Sequence, residues 1–414
     1  MKKKILVINP ISLFPTKAMN QVRAIHTMKS LASKFEVDLV TTVKDEKEES
    51  LSKIAMTEIN GKFFPLLSVK SNQNQIKKRI SQLSEKFNNY LFATDTGYSF
   101  AKRYYSEILK IIKDGKYDIV LSHYWEISGF FTKLDNSVIK ILDTHYAVEE
   151  NIKLNDEGKY KGGKDFVRTR ELQKSAKLEK KFIDASDIIL ALSNSNYETF
   201  KKIAPQKAHF MTPDGNDFEY FNSKMKTPVE PAVLFYGNMG SDQNVNAFFR
   251  FYNNIYPSLK KNISDLKIYI VGSNPTASIK ALHNNKNIIV TGFVEDVRDY
   301  LNKGTFLILP MEIGAGFRGR IVEVMSMGIP VIGTDNALRS IEMISGEHGY
   351  ITDSDDEMIK YSLNILQDVS LRKKLSDNCL KFVKQKYSLE ATFDKFTEYL
   401  FNYIKKKESI EAVA

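Results

Sequence analysis

The sequence predicts an α/β fold made of two doubly wound parallel-sheet domains. Two observations carry that expectation. Short, nearly continuous apolar runs rich in β-branched residues alternate with longer amphipathic segments along all 414 residues. The alternation breaks at 222–231, a polar stretch with Pro228 and Pro231, and then restarts. Runs that are apolar throughout, rather than at every second residue, suit strands covered on both faces, and strands separated by helices suit a parallel sheet.

In the first half the expected strands are 4–8, 37–42, 117–121, 138–142 and 187–192, with helices at 18–33, 75–91, 99–113 and 166–185. In the second half strands are expected at 232–236, 266–271, 287–291, 306–309 and 330–333, with helices including 245–256 and 318–327. This layout gives two Rossmann-like domains, 1–225 and 226–388, and a ligand cleft where the carboxyl ends of their strands face each other. Residues 389–414 form a C-terminal helix and tail. Phe393, Phe396, Tyr399, Leu400, Tyr403 and Ile404 recur at helical spacing there, so the helix is expected to pack back across both domains. Gly237, Gly272 and Gly292 close three successive strands of the second half, where backbone turns tightly or approaches a ligand.

Composition narrows the class. The chain is 43% apolar and 27% charged, which excludes wholesale disorder. The single cysteine, Cys379, excludes a disulfide scaffold or a cysteine metal cluster, and the six histidines show no metal-ligand spacing. No metal and no cofactor are expected. Met1-Lys2-Lys3-Lys4 followed by Ile5-Leu6-Val7-Ile8 imitates a signal peptide, but the apolar run ends at Asn9-Pro10 and suits a buried strand better. No stretch is apolar for 18 residues, so the expectation is a soluble, cytoplasmic protein. Net charge is +10. Residues 1–224 carry 37 basic and 28 acidic side chains, and the remainder 23 and 22. The basic half suits an anionic partner or a solvated lysine-rich surface.

The densest chemical signal is the run from Gly314-Ala315-Gly316-Phe317-Arg318-Gly319-Arg320 through Glu323 to Gly328-Ile329-Pro330-Val331. A glycine loop opening a helix presents free N–H groups and a positive dipole, which suits phosphate. Arg318 and Arg320 add cations at that end, where the dipole disfavours them unless an anion is bound. Glu323 in the same helix can accept hydrogen bonds from a vicinal diol such as a ribose. Together these point to a nucleoside diphosphate.

With those residues in place, the sequence resembles the family-4 retaining glycosyltransferases of the GT-B fold. The resemblance covers most of the chain and is strongest over 232–350. It rests on Val233 to Asn238 with Asn244 downstream, Tyr269 to Gly272, Thr291 to Val297, and Gly314 to Val331. It implies that Glu323 holds the donor ribose, that Arg318 and Arg320 neutralise the diphosphate, and that Phe293 and Val294 border the base. Gly237, Asn238, Gly314, Ala315 and Gly316 complete the implied donor site. In the first half, Ile141-Leu142-Asp143-Thr144-His145 resembles the family's strand-Asp-x-His segment, which puts His145 beside the donor sugar. The chain departs from the family pattern at three places. Ala315 stands where many relatives have a sugar-contacting glutamate, with Glu312 a substitute to test. The loop 15–20 lacks glycine, leaving Lys17 and Asn20 as acceptor or diphosphate candidates. Arg320 replaces the usual lysine and adds a bidentate fork.

The implied reaction moves a sugar, with retention, from a nucleotide-diphosphate sugar to a glycan or lipid-linked acceptor in cell-surface polysaccharide or glycoconjugate synthesis. Asp353-Ser354-Asp355 has the form of a metal motif, but it precedes a helix expected at 358–366 and reads as its N-cap. The amphipathic stretch 76–91, with Lys77, Lys78, Arg79 and Lys86, suits either a helix packed on its own sheet or one lying on an anionic membrane surface, at the inner face of the cell membrane. Alternatives are a nucleotide-sugar epimerase of the same fold, or a non-catalytic protein binding nucleotide or nucleic acid. No nucleic-acid motif is present, so a nucleic-acid partner is not expected.

Overall fold

The computed structural model describes residues 2–16, 19–67, 102–158, 166–226, 230–284, 286–312 and 318–411. They form two compact units, Met1–Asp214 with Phe393–Ala414, and Gly215–Thr392. The change of unit comes ahead of the expected 225/226 boundary. The reason is local packing: Phe218 and Phe221, on the short helix Phe218–Asn222, are buried in the core of the second unit. The return falls between Thr392 and Phe393 rather than at 388/389.

The first unit is a seven-stranded sheet in the order β3-β2-β1-β4-β5-β6-β7. Its strands are β1 (Lys4–Asn9), β2 (Glu36–Val43), β3 (Phe63–Leu67), β4 (Ile119–His123), β5 (Ile139–Asp143), β6 (Ile188–Ala191) and β7 (Ala208–Met211), every pair parallel. Side chains of β1 alternate between two cores: Ile5 and Val7 face one, Leu6 and Ile8 the other. This two-faced burial explains the continuous apolar run. The sequence expectation omitted β3 and β7, the two edges. Pro65 sits in β3, tolerable there because an edge strand leaves some backbone groups unpaired, and β7 is only half-buried. The C-terminal helix Lys395–Glu411 buries Phe396, Leu400 and Ile404 in the core of this unit.

The second unit repeats the topology with six parallel strands in the order β10-β9-β8-β11-β12-β13. They are β8 (Ala232–Tyr236), β9 (Lys267–Val271), β10 (Ile288–Gly292), β11 (Phe306–Leu309), β12 (Val331–Gly333) and β13 (Gly349–Ile351). Ala232 and Leu234 face one core, Val233 and Phe235 the other. The three-residue β13 was not anticipated, being too short to show a pattern. The helix expected at 245–256 is instead Asp242–Arg250, a π turn Phe251–Ile255, and Tyr256–Asn262. The widened turn comes just before Pro257, which has no N–H to continue an α-helical ladder. Ser354 caps the helix Asp355–Gln367 by accepting from Glu357 N–H, and Asp355 receives Arg250 Nε at 2.9 Å. The stretch 76–91, with Lys77, Lys78, Arg79 and Lys86, lies outside the described residues.

Candidate functional site

Both sheets reverse strand order beside their first strand, and ligands of open parallel sheets bind beyond the carboxyl ends of the strands at such a point. In the second unit this places the turn after β8 beside the connection from β11 to the helix Gly319–Ser326.

Arg318, Arg320 and Glu323 all belong to this region. Arg318 is the N-cap residue of the helix, and its Nε donates to the Ala337 carbonyl at 3.2 Å. One of its terminal nitrogens is enclosed with no hydrogen-bond partner, as are both amide atoms of Asn336 next to Ala337. Burial, helped by Arg339, lowers the Arg318 pKa. Among the described residues no carboxylate pairs with it. A half-buried cation at the positive end of a helix, one of its nitrogens enclosed and unpartnered, is an unfavourable arrangement that an anionic ligand reverses.

Arg320 lies in the first turn, its guanidinium 5.4 Å from the centre of the Tyr236 ring at the end of β8. Tyr236 in turn donates its hydroxyl to Glu323 Oε2 at 2.7 Å. Glu323 is buried, and burial raises its pKa against the opposing hydrogen bond from Tyr236 and the charge of Arg320. Gly237 leaves room for these groups: a Cβ there would meet Asn244 Nδ2 at 2.9 Å and an Arg320 nitrogen at 3.3 Å. Asn238 is fixed by its carbonyl, which accepts from Asn244 Nδ2, and by its Oδ1, which accepts from Gly240 N–H. Gly272 has φ +137°, and a Cβ on it would fall 1.8 Å from the Gly237 carbonyl oxygen, so its role is close strand-end packing. Past β10, Phe293 is 80% exposed, and Val294 packs against the core. Glu312 points outward, 4.0 Å from Arg250. Gly314, Ala315, Gly316 and, in the first unit, Lys17 lie outside the described residues.

The first unit holds a different constellation at the carboxyl ends of β4 and β5. Arg23, on the helix Met19–Ala32, is fully enclosed and grips Asp143 with two hydrogen bonds of 2.8 and 3.1 Å. It also donates to the Thr212 carbonyl and to Asp214. His123 Nδ1 stands 3.0 Å from Asp143 Oδ2 and 3.1 Å from His145 Nε2. The His145 ring stacks on Tyr124, centroids 4.0 Å apart and 5° from parallel, and Asn20 donates its amide to the Tyr124 hydroxyl at 2.7 Å. Tyr124 and His145 both have positive φ, 67° and 62°, a conformation costing about 1–3 kcal/mol in a non-glycine residue and found most often at functional sites. Burial would raise the Asp143 pKa, but Arg23, His145 and His123 hold it well below the carboxylate range. Burial pushes His145 down to about 3, outweighing Asp143. His123, Asp143 and His145 offer ligand atoms within 4.8 Å of one another. Arg23 already holds both Asp143 oxygens, however, so an ion there would sit against a guanidinium. The set has the chemistry of a hydrogen-bond relay.

Sequence reasoning reached Asp143 and His145 but missed Arg23, His123, Tyr124, Tyr236 and Asn336. Arg23 carries no local signal among so many basic residues. His123 and Tyr124 were readable only as a polar pair ending an apolar run.

Two parallel sheets of this order, the second with a cationic helix start and a buried carboxylate at its switch point, define the GT-B class of fold. Residues 230–368 match the family described as Glycosyl transferases group 1. The chain is 27% identical over 206 residues to 2-deoxystreptamine N-acetyl-D-glucosaminyltransferase of Niallia circulans, covering 46% of this chain and 51% of the relative. It is 24% identical over 153 residues to the capsular polysaccharide biosynthesis glycosyltransferase CapM of Staphylococcus aureus, covering 35% and 40%. The chain thus spans about half the length or less of the curated relatives it matches. Anabaena Alr3699/HepE in complex with UDP superposes with a TM-score of 0.63 at 13% identity, covering 96% of this chain and all of that one, a likeness of fold. Among the described residues, no helix is long and apolar enough to cross a membrane.

Proposed function

We propose that the protein is a retaining, family-4 glycosyltransferase that moves a sugar from a nucleotide-diphosphate donor to a glycan or lipid-linked acceptor in polysaccharide or glycoconjugate synthesis. The observation that carries this reading is the half-buried guanidinium of Arg318 at a helix start, one nitrogen enclosed and no carboxylate paired with it among the described residues, with Arg320 and Glu323 on the same helix. In this reading Arg318, Arg320 and the helix N–H groups bind the diphosphate, and Glu323, held by Tyr236, takes the ribose hydroxyls. The bond from the anomeric carbon to the phosphate oxygen breaks, and the acceptor oxygen bonds to that carbon on the same face. The acceptor proton passes to the departing phosphate. Positive charge grows on the sugar and negative charge on the diphosphate, so fixed cations already facing the phosphates lower the barrier without reorganising. Removing one such partner costs about 10²–10³ in rate. The reading requires no metal. The capsular and aminoglycoside enzymes among the relatives support a bacterial glycan or glycoside acceptor, and the basic stretch Lys77, Lys78, Arg79 and Lys86 supports an anionic membrane surface.

The test is thermal unfolding with UDP, GDP, ADP and TDP, for the natural chain and an Arg318→Ala/Arg320→Ala double variant. A diphosphate at a hundred times its Kd adds about 2.7 kcal/mol. Stabilisation of the natural chain by one nucleotide and not of the double variant supports the donor site and identifies the base. No stabilisation by any of them removes the reading's main support.

A further inference from the structure

We infer that Asp143, acting through His123, fixes His145 as the neutral imidazole protonated on Nδ1, so that His145 meets substrate only as a hydrogen-bond donor. His123 and Asp143 are then positioning residues for His145, and Arg23 orients Asp143.

The argument is one of proton placement. His123 Nδ1 lies 3.0 Å from the Asp143 carboxylate, which accepts only, so Nδ1 must carry the proton; an unprotonated nitrogen would set lone pair against lone pair. That same N–H faces His145 Nε2 at 3.1 Å. A proton on Nε2 would collide with it, so Nε2 is the accepting nitrogen and the His145 proton sits on Nδ1. The imidazolium form is excluded for the same reason. The surroundings agree from every side: Arg23 and its second carboxylate Asp214 lie behind Asp143, Tyr124 covers one face of the ring, and His123 closes the Nε2 edge. His145 Nδ1 makes no hydrogen bond among the described residues. It is the one polar atom of the ring left for a ligand. A rigid neutral donor there suits a hydroxyl oxygen of a sugar. It rules out His145 as the base that deprotonates an acceptor, because neither nitrogen can take a proton. The sugar as ligand rests on the glycosyl-transfer reading, whereas the tautomer does not.

The experiment is long-range ¹H–¹⁵N correlation NMR on the histidine-labelled full chain from pH 5 to 8, with His145→Gln assigning the signals. The expected spectrum shows His145 as the Nδ1–H tautomer, unchanged across the range. An Nε2–H tautomer, or an imidazolium at pH 6, overturns the inference, and either result is read without any activity. His123→Leu removes the blocking N–H and frees Nε2 to carry the proton: the His145 signals then move from the Nδ1–H to the Nε2–H pattern and kcat/KM falls at least tenfold, while burial still keeps the ring neutral across the range. His123→Asn returns an N–H donor near the same place and restores both the Nδ1–H pattern and the turnover. Should the leucine variant fail to fold, the spectra of the natural chain and the asparagine variant still decide. If they show the Nδ1–H form but no nucleotide sugar is turned over, the transferase reading fails and the tautomer stands.

Discussion

The two switch points share a topology and treat charge in opposite ways. In the first unit Arg23 is buried and well partnered: Asp143, Asp214 and a carbonyl accept four hydrogen bonds from it, and Asp143 also faces His123. In the second, Arg318 is half-buried, with one terminal nitrogen enclosed and unpartnered among the described residues. Groups that satisfy one another build a fixed scaffold and leave one atom, His145 Nδ1, for outside use. Groups left unsatisfied are where, in the proposed function, the diphosphate supplies the missing charge. Burial alone therefore does not identify a binding cation; what matters is whether the protein itself provides the anion.

The sharpest way to break the contrast is Arg23→Met. It strands Asp143 uncompensated in the interior, and removing one partner of a buried pair costs about 3–5 kcal/mol. Urea unfolding measures it, and a loss below about 1 kcal/mol would show the cluster to be no scaffold. Glu179 offers a second check in the same unit, as a buried carboxylate with no cation paired to it among the described residues. Both its oxygens accept from Val148 N–H, and burial lifts its pKa to about 8 from the ordinary 4.5. The unfolded chain therefore releases this proton first as pH rises, and stability falls between pH 4.5 and about 8, by up to about 5 kcal/mol. Glu179→Gln should flatten that slope; an unchanged slope assigns it to other groups.

Next comes Arg318→Ala. Because no carboxylate among the described residues pairs with the guanidinium, the variant should unfold within about 1 kcal/mol of the natural chain. Its affinity for a nucleoside diphosphate should drop about 10- to 100-fold, as for a lost hydrogen bond to a charged group. Calorimetric titration separates the two effects, and a large stability loss with unchanged affinity would reverse the assignment. The smallest effect belongs to Tyr236→Phe, which removes one hydrogen bond from Glu323 and should weaken nucleotide binding by about 1 kcal/mol. It should have no effect on a nucleotide lacking the ribose hydroxyls, and comparing the two ligands checks it.

The sequence by itself determined the two-sheet architecture, because buried parallel strands must be apolar on both faces and so announce themselves as unbroken runs. The edges β3 and β7 escaped because half-exposed strands need no such run. Arg318, Arg320 and Glu323 were legible because one short helix carries all three at fixed spacing, and helical geometry follows from local sequence. Tertiary structure alone decided the rest. Arg23 finds Asp143 across 120 residues, and His123 meets His145 because two parallel strands end side by side. The C-terminal helix joins the first unit because Phe396, Leu400 and Ile404 fit its core, a choice of partner that an apolar stripe cannot express. Whether a buried charge is paired or waiting is likewise a question of what lies across from it, and that is settled only when the chain has folded.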